Sequence, residues 1–307
     1  MEETQIDKLK LAKGRTVISD ADYKKSSVKS GYWLMVGLLT VGTLTTIIPL
    51  IWAFFCGFKG EKEMFSIPPS FLPKSWNPKN YIEAWNQINF IRYFWNTFVL
   101  AVECWVVSMV ISALAAYALS KLKPRGSKFI LLLFLSTLMV PFTSTLIPTY
   151  LLIRDMRLHL PDFLLHIMGT YWPIYLPAGV NAFAIFLMKG FFDGIPSDLL
   201  DAGRIDGASE WRLFGQIVVP LSKPVLAVLT IFSFMGTWNS FLWPLIVLDD
   251  EYTYPIMVKL YSFQLISSVP ESVILSALFI ACLPPIILFI LFQKQIMRGI
   301  TLTGLKG

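Results

Sequence analysis

The residues of this chain that could take part in chemistry are few, and they do not form a catalytic pattern. The sequence contains no G-x-x-x-x-G-K-[ST] phosphate loop, no G-x-S-x-G nucleophile motif and no H-E-x-x-H zinc motif. One carboxyl group, that of Glu103, lies inside a long apolar block. Proton-coupled carriers use several ionisable groups within the membrane, so one carboxyl does not predict a proton relay. Glu103 either lines a path for a solute or is satisfied by a neighbouring helix or a partner chain.

The cysteines and histidines do not have the spacing of metal ligands. Cys56, Cys104 and Cys282 lie in or beside apolar blocks without a C-x-x-C pair, which favours small buried apolar side chains. His159 and His166 have no E-x-x-H companion. We therefore predict no metal site, and we predict that the chain is not an enzyme.

The elements that position the remaining polar residues are membrane helices. Of the 307 residues, 55% are hydrophobic and 15% are charged, and the mean hydropathy is +0.62. The apolar residues form blocks of about 20 or more, which is the length of a helix that crosses a bilayer. We predict an all-α polytopic membrane protein with six transmembrane helices. The predicted spans are about 32–57, 93–119, 129–152, 170–192, 223–247 and 272–293.

The distribution of Lys and Arg predicts the orientation, because cytoplasmic loops carry an excess of these residues. The short loop 120–128 has four basic residues and no acidic one. Placing it in the cytosol makes both termini cytosolic, as tails 1–31 and 294–307, together with the loop 193–222. The net charge of +6 then faces anionic lipid and predicts no nucleic-acid partner.

One polar segment, DLLDAGRIDGASEWRLFGQIVVPLSKP at 198–224, interrupts the apolar pattern. Its spacing predicts a short helix that ends at Gly207, because glycine adopts the left-handed conformation without penalty. A second short helix follows, in which Trp211, Phe214 and Ile217 form an apolar stripe that we predict to be exposed. Two interpretations remain open: an amphipathic helix that rests on lipid, or a helix that docks in the groove of a partner protein.

The same segment resembles the cytosolic loop of the inner-membrane permease subunits of ATP-binding cassette (ABC) importers. Their signature is E-A-A, three residues, G, nine residues and I-x-L-P; here it reads Asp201-Ala202-Gly203, Gly207 and 217–220. Asp replaces Glu, Gly replaces the second Ala, and Val219 stands where Leu is usual. The wider run 183–224, TWNSFLWPLIVL and the GLKG ending resemble the carbohydrate-uptake branch, most of all the maltose-type second permease. The resemblance covers about residues 30 to 307.

The resemblance implies a multi-pass subunit of the bacterial plasma (inner) membrane that forms half of a translocation pathway. ATP and Mg²⁺ would bind to separate ATPase subunits, and this chain would bind no cofactor. Its partners would be a second permease subunit, two ATPase subunits, an external solute-binding protein, a sugar solute and membrane lipid. The implied ATPase-coupling residues are Asp201, Ala202, Gly203, Arg204, Asp206, Gly207 and Ala208.

A sugar path would need aromatic faces and hydroxyl or amide partners. The predicted solute-path residues are Glu103, Trp238, Asn239 and Phe241, with Trp95, Asn96 and Trp243 as further candidates. Aromatic residues in membrane segments more often serve packing or the interfacial belt, so that alternative stays open. Two other classes of protein also remain as alternatives. One is a stand-alone secondary solute carrier, which lacks support from an internal repeat, and the other is a membrane-embedded enzyme or assembly factor.

Overall fold

The structure is a computed structural model that describes residues 26–266 and 268–304. Three parts of the chain that the predictions concern lie outside the described residues. They are residues 1–25 of the predicted N-terminal tail, residues 305–307 of the predicted C-terminal tail and the side chain of His166. The regular elements of the described residues are helices, with no strand among them, which confirms the all-α class. The chain divides into two compact units, residues 1–77 and 78–307.

The first unit contains a long apolar helix, α1 (Ser26–Cys56), and a short helix, α2 (Glu61–Met64). Helix α1 begins within the segment predicted as a tail, six residues before the predicted span. The hydroxyl groups of Thr40 and Thr43 donate to carbonyls one turn back, at 2.8 and 2.7 Å, so these polar side chains are satisfied within the helix.

The second unit consists of helices joined by short connections. The helices are α3 (Lys79–Gln87), α4 (Phe90–Tyr117), α5 (Ser127–Thr137), α6 (Phe142–His159), α7 (Asp162–Met168), α8 (Trp172–Ala178), α9 (Ala182–Asp193), α10 (Ser197–Ile205), α11 (Glu210–Leu213), α12 (Val219–Leu221), α13 (Lys223–Trp238), α14 (Leu242–Val247), α15 (Ile256–Gln264) and α16 (Glu271–Gly304). Two π-helical turns, Ala118–Leu122 and Phe214–Val218, continue α4 and α11.

Among the described residues, three helices are long and apolar enough to cross a membrane, and three bent pairs raise the number to as many as six. The long helices are Val28–Cys56, Phe90–Leu122 and Glu271–Gln293. The pairs α5–α6, α8–α9 and α11/α12–α13 bend by 101°, 42° and 79°. The count of six spans and the cytosolic ends remain predictions.

Three of the predicted spans are broken in the structure. The third is interrupted between Thr137 and Phe142, where Pro141 has the extended backbone of the residue that precedes the next helix. The fourth is interrupted before Asn181, whose side chain caps α9 by accepting from the Ala184 N–H at 3.0 Å. The fifth stops at Trp238 and resumes at Leu242. Each predicted segment is therefore helical, but these three are not continuous helices.

Helix α4 lies at the centre of the second unit and packs against α8, α9 and α13. Its Trp105 indole donates to the Thr230 hydroxyl of α13 at 2.9 Å, and Thr97 accepts from the Ile256 N–H of α15 at 2.8 Å. Because α4 contacts so many neighbours, a displacement of its C-terminal end would shift the helices packed around it.

Candidate functional site

The polar segment folds as a helix, a tight turn and a second helix. Helix α10 ends at Ile205, and Gly207 has a φ of 79°, the left-handed conformation that the sequence predicts. The Gly207 N–H donates to the Arg204 carbonyl at 3.0 Å, and the Ala208 N–H donates to the Gly203 carbonyl at 2.9 Å. This pair of bonds is a Schellman motif, which satisfies carbonyls at the end of α10 and fixes the direction of the chain that follows.

Helix α10 packs closely on α11 because Gly203 has no side chain. A Cβ at this position would lie 2.5 Å from Cδ2 of Leu213, a distance that real Cβ atoms do not show. Leu200 and Leu213 are both buried in a cluster with Phe192 and Ile195. The polar segment is thus anchored to the bundle by one apolar face.

Three charged side chains hold the two short helices together. Nη1 of Arg204 lies 2.7 Å from Oδ1 of Asp201, and Nε of Arg204 lies 2.9 Å from Oε1 of Glu210. The Tyr117 hydroxyl at the end of α4 donates to Oε2 of Glu210 at 2.5 Å. Glu210 therefore links the segment to the central helix. The hydrogen bond from Arg204, followed by that from Tyr117, lowers the pKa of Glu210.

The lowered pKa of Glu210 predicts that the stability of the fold depends on pH. A carboxyl whose pKa is lower in the folded state stabilises the fold above its unfolded pKa and loses that contribution as pH falls through the folded value. We expect the wild type to unfold in detergent at a higher temperature than Glu210→Gln at pH 7, by an amount equivalent to about 1 kcal/mol or less. The difference should shrink at pH 4. A difference that grows on acidification would contradict the link.

The other face of the segment is exposed. Ile205 is 87% exposed and Trp211 is 72% exposed, with Leu199 also exposed. The acidic residues Asp201 and Asp206 lie among them at the surface. We name Leu199, Ala202, Ile205 and Trp211 the outer face of the segment.

The predicted apolar stripe at Trp211, Phe214 and Ile217 is only partly exposed. Phe214 and Ile217 are half-buried against the cluster that contains Leu213, and the ring of Phe214 lies 5.2 Å from that of Tyr117. The prediction of a fully exposed stripe is therefore wrong for these two residues. Trp211 lies on α11, before the π-helical turn at 214–218, and its side chain is 72% exposed.

A second set of polar contacts joins the segment to α4. Nζ of Lys121 donates to the Ile195 carbonyl at 2.7 Å, and the Ser120 hydroxyl donates to Asp193 at 2.7 Å. Asp193 also pairs with Lys189 at 2.6 Å. Together with the hydrogen bond from Tyr117 to Glu210, these contacts hold the C-terminal end of α4 to the chain on both sides of α10.

The second unit also contains a cavity of about 810 Å³. Residues of α4, α6, α8, α9, α13 and α14 line it. Of the predicted solute-path residues, Asn239 and Phe241 line this cavity, as does Trp243. Trp243 is buried, and its indole donates to the Pro173 carbonyl at 3.0 Å.

The other predicted solute-path residues lie away from the lining. Trp238 is buried beside the rings of Phe94 and Phe234, with centroids 5.7 and 5.6 Å away. Glu103 precedes the lining residue Cys104, and its Oε2 is buried without a hydrogen-bond partner among the described residues. Of the further candidates, Trp95 is exposed on α4, and the Asn96 amide donates to the carbonyls of Tyr252 and Tyr254 at 2.7 and 3.0 Å.

Comparison with known proteins identifies the class of this helical unit. Residues 108–302 match the family described as "Binding-protein-dependent transport system inner membrane component". The matched range includes both the α10–α11 segment and most of the cavity lining. The chain belongs to this family.

Two relatives and one solved structure illustrate the similarity. The chain is 34% identical over 261 residues to a probable ABC transporter permease protein of Bacillus subtilis, covering 84% of this chain and 83% of the relative. It is 30% identical over 277 residues to the arabinooligosaccharides transport system permease protein of Halalkalibacterium halodurans, covering 88% and 96%. Its fold is similar to a chain of a bacterial ABC transporter involved in the import of the acidic polysaccharide alginate. That similarity has a TM-score of 0.75 and 24% identity, and it covers 88% of this chain and 98% of the other.

Membership has direct consequences for this permease. It is an inner-membrane component of a binding-protein-dependent ABC importer, and subunits of this family are not themselves enzymes. Such an importer works with a partner permease, an ATPase and a substrate-binding protein. The alternatives of a secondary carrier and of a membrane-embedded enzyme are therefore set aside.

Several structural residues were not apparent from the sequence. Tyr117 and Glu210 are 93 residues apart, and no local pattern connects them. Lys121 is one of the four basic residues of the loop 120–128, and the sequence does not show that it also donates to the Ile195 carbonyl. The i+3 spacing from Asp201 to Arg204 was a readable signal for one ion pair of this network.

Proposed function

We propose that this permease subunit imports a sugar or an oligosaccharide, and that its α10–α11 segment couples transport to an ATPase. The proposal for the solute is supported by the relative that is named for arabinooligosaccharide transport. It is also supported by a cavity that combines aromatic side chains such as Phe241 with amides such as Asn239. Aromatic faces and neutral hydrogen-bonding groups suit the alternating apolar and hydroxyl surfaces of a sugar ring.

The coupling proposal rests above all on one observation, the two-faced packing of the segment. Leu200 and Leu213 fix its inner face to the bundle, whereas Leu199, Ala202 and Ile205, spaced three residues apart on α10, leave apolar surface on its outer face. Exposed apolar residues at helical spacing are the anchors of a helix that docks in a groove. The proposed occupant is a groove of an ATPase subunit, with ATP and Mg²⁺ bound there and not on this chain. Two such subunits, a second permease and an external binding protein would complete the importer.

The contacts of the segment provide a route by which motion would reach the cavity. Glu210 and Lys121 connect the segment to the end of α4, and α4 contributes Cys104 and Ser108 to the cavity lining. Movement of a docked ATPase would displace the segment as a rigid body, since its end is fixed by the Schellman motif. The same displacement would shift the lining helices and expose the cavity alternately to the two sides of the membrane.

Substitution of Ile205 tests the docking surface. We expect Ile205→Asp to reduce co-purification of the ATPase from solubilised membranes by at least about tenfold. The substitution places a charge where an apolar side chain would be buried in the groove of the docked ATPase. The second permease should still co-purify. Leu265→Asp is the matched control, because Leu265 is 67% exposed in the second unit on the predicted external side.

The outcome separates the two interpretations of the segment. If Ile205→Asp retains the ATPase as well as Leu265→Asp does, the outer face does not dock on that subunit. A segment that only rests on lipid would give this result.

A further inference from the structure

We infer that the cavity between α4, α9 and α13 accepts an electrically neutral solute and disfavours anionic sugars. The inference rests on the proposed function, in which this cavity belongs to the solute path. It adds the charge class of the solute, which neither family membership nor the relatives determine.

The first observation is the chemistry of the lining. Its polar groups are hydroxyls and carboxamides, among them Ser108 on α4, Thr145 on α6, Ser233 on α13, and the amides of Asn181 and Asn239. None of the described residues that line the cavity is Lys, Arg, His, Asp or Glu. An ionised solute would therefore lose water without gaining a charged partner, which is costly within a membrane protein.

The second observation concerns the N-terminus of α9, which borders the cavity. A helix N-terminus can bind an anion through its free N–H groups. Here the side chain of Asn181 already accepts from the Ala184 N–H at 3.0 Å. The cap occupies one of the donors that a phosphate or carboxylate would need.

The third observation concerns a hydroxyl group of the lining that is buried in this conformation and that a neutral solute could complete once the lining helices shift. Ser108 is 3% exposed, lines the cavity, and its hydroxyl has no hydrogen-bond partner among the described residues. Buried polar groups without a partner are rare and destabilising, so a ligand that completes such a group gains affinity. On Asn239 the amide N–H₂ donates to the Met235 carbonyl at 2.8 Å, which leaves the amide oxygen to accept from a solute hydroxyl.

Charged thiol reagents test the cavity without any assumption about the solute. In the complete importer with Cys56, Cys104 and Cys282 replaced by alanine, Ser233→Cys places a thiol in the lining. Ser197→Cys, on the exposed first turn of α10, is the reference. At each position the rate of thiol modification by a neutral methanethiosulfonate is divided by the rate of modification by a sulfonate-bearing one. We expect this ratio to be about tenfold higher at position 233 than at position 197. Equal ratios would overturn the inference and leave the proposed function intact.

Uptake by the same importer in proteoliposomes tests the role of the hydroxyl. With a neutral arabino-oligosaccharide as the probe, Ser108→Ala should raise KM by roughly threefold to tenfold, the effect of one lost hydrogen bond. Ser112→Ala is a matched control, because Ser112 is also buried with an unpartnered hydroxyl on α4 but does not line the cavity. Equal KM values for the two variants would exclude a contact between Ser108 and the solute.

The wild-type importer distinguishes failure of the inference from failure of the proposed function. Uptake of the neutral probe, with little uptake of a uronate oligosaccharide of the same length, supports both. Uptake of the uronate in preference to the neutral probe overturns the neutral-solute inference while sugar import stands. Uptake of neither sugar, nor of other neutral or uronate sugars in a panel, overturns the proposed sugar import and the inference with it.

Discussion

Replacing Gly203 by leucine is expected to reduce ATP-dependent uptake by the assembled importer by at least about tenfold. The new Cβ would lie 2.5 Å from Cδ2 of Leu213, which is buried, and the remaining atoms of the leucine side chain would have to displace it further. Overpacking of this kind costs about 1–3 kcal/mol or pushes the elements apart. Separation of α10 from α11 would also stretch the contact between Arg204 and Glu210. Uptake into membrane vesicles and co-purification of the ATPase measure the effect.

A matched control and a compensating substitution make this prediction specific to packing. Gly190 also lies in a helix near the polar segment, and nothing lies within 4 Å of a Cβ placed there, so Gly190→Leu should retain uptake. Leu213→Ala, added to Gly203→Leu, removes the opposing methyl groups and should restore much of the activity. A double variant as inactive as Gly203→Leu would rule out the packing explanation, because neighbouring residues in contact should show strong coupling.

Replacing Gly207 by valine is expected to have the second largest effect, for a different reason. Nothing lies within 4 Å of a Cβ at this position, so size alone is tolerated. The expected loss of uptake comes from the backbone, because Gly207 has a φ of 79°. This left-handed conformation costs an ordinary L-residue about 1–2 kcal/mol and suits β-branched residues least. We expect uptake to fall by roughly 5-fold to 30-fold.

The ranking of substitutions at position 207 isolates the backbone effect. Asparagine enters the left-handed region more readily than alanine, and alanine more readily than valine. Uptake should therefore decrease in the order Gly, Asn, Ala, Val. If Asn and Val were impaired equally, the side chain would have to obstruct the ATPase directly.

The sequence predicted those features that depend on local pattern. The apolar blocks predicted the helical class because hydrophobic length directly reflects the thickness of a bilayer. Gly207 could be identified as a helix end because it follows a short amphipathic pattern and because glycine has a known conformational preference. Asn239 and Phe241, two of the predicted solute-path residues, lie in the cavity lining, and their contact with a solute stays a prediction.

Other features could not be read because they depend on contacts distant in sequence or on breaks within apolar runs. The interruption between Ala178 and Ala182 contains Gly179 and Asn181, but apolar residues continue on both sides of it, so the run is long enough to be one span. Trp238 and Phe241 are three residues apart, yet one packs in the bundle and the other faces the cavity, because α13 ends between them. The close approach of Leu213 to position 203 is a contact between two helices, which only the fold supplies.

The three broken spans, which are the third, fourth and fifth, have a common consequence for the interior of this protein. Residues at or beside all three breaks, Phe142, Asn181 and Asn239 among them, border the same cavity. Each break leaves N–H and C=O groups without intrahelical partners, and hydrocarbon cannot satisfy them. The cavity must therefore stay wet between transport cycles. The hydroxyls of a neutral solute can take over the hydrogen bonds of that water, whereas an ionised solute finds no charged partner among the described lining residues.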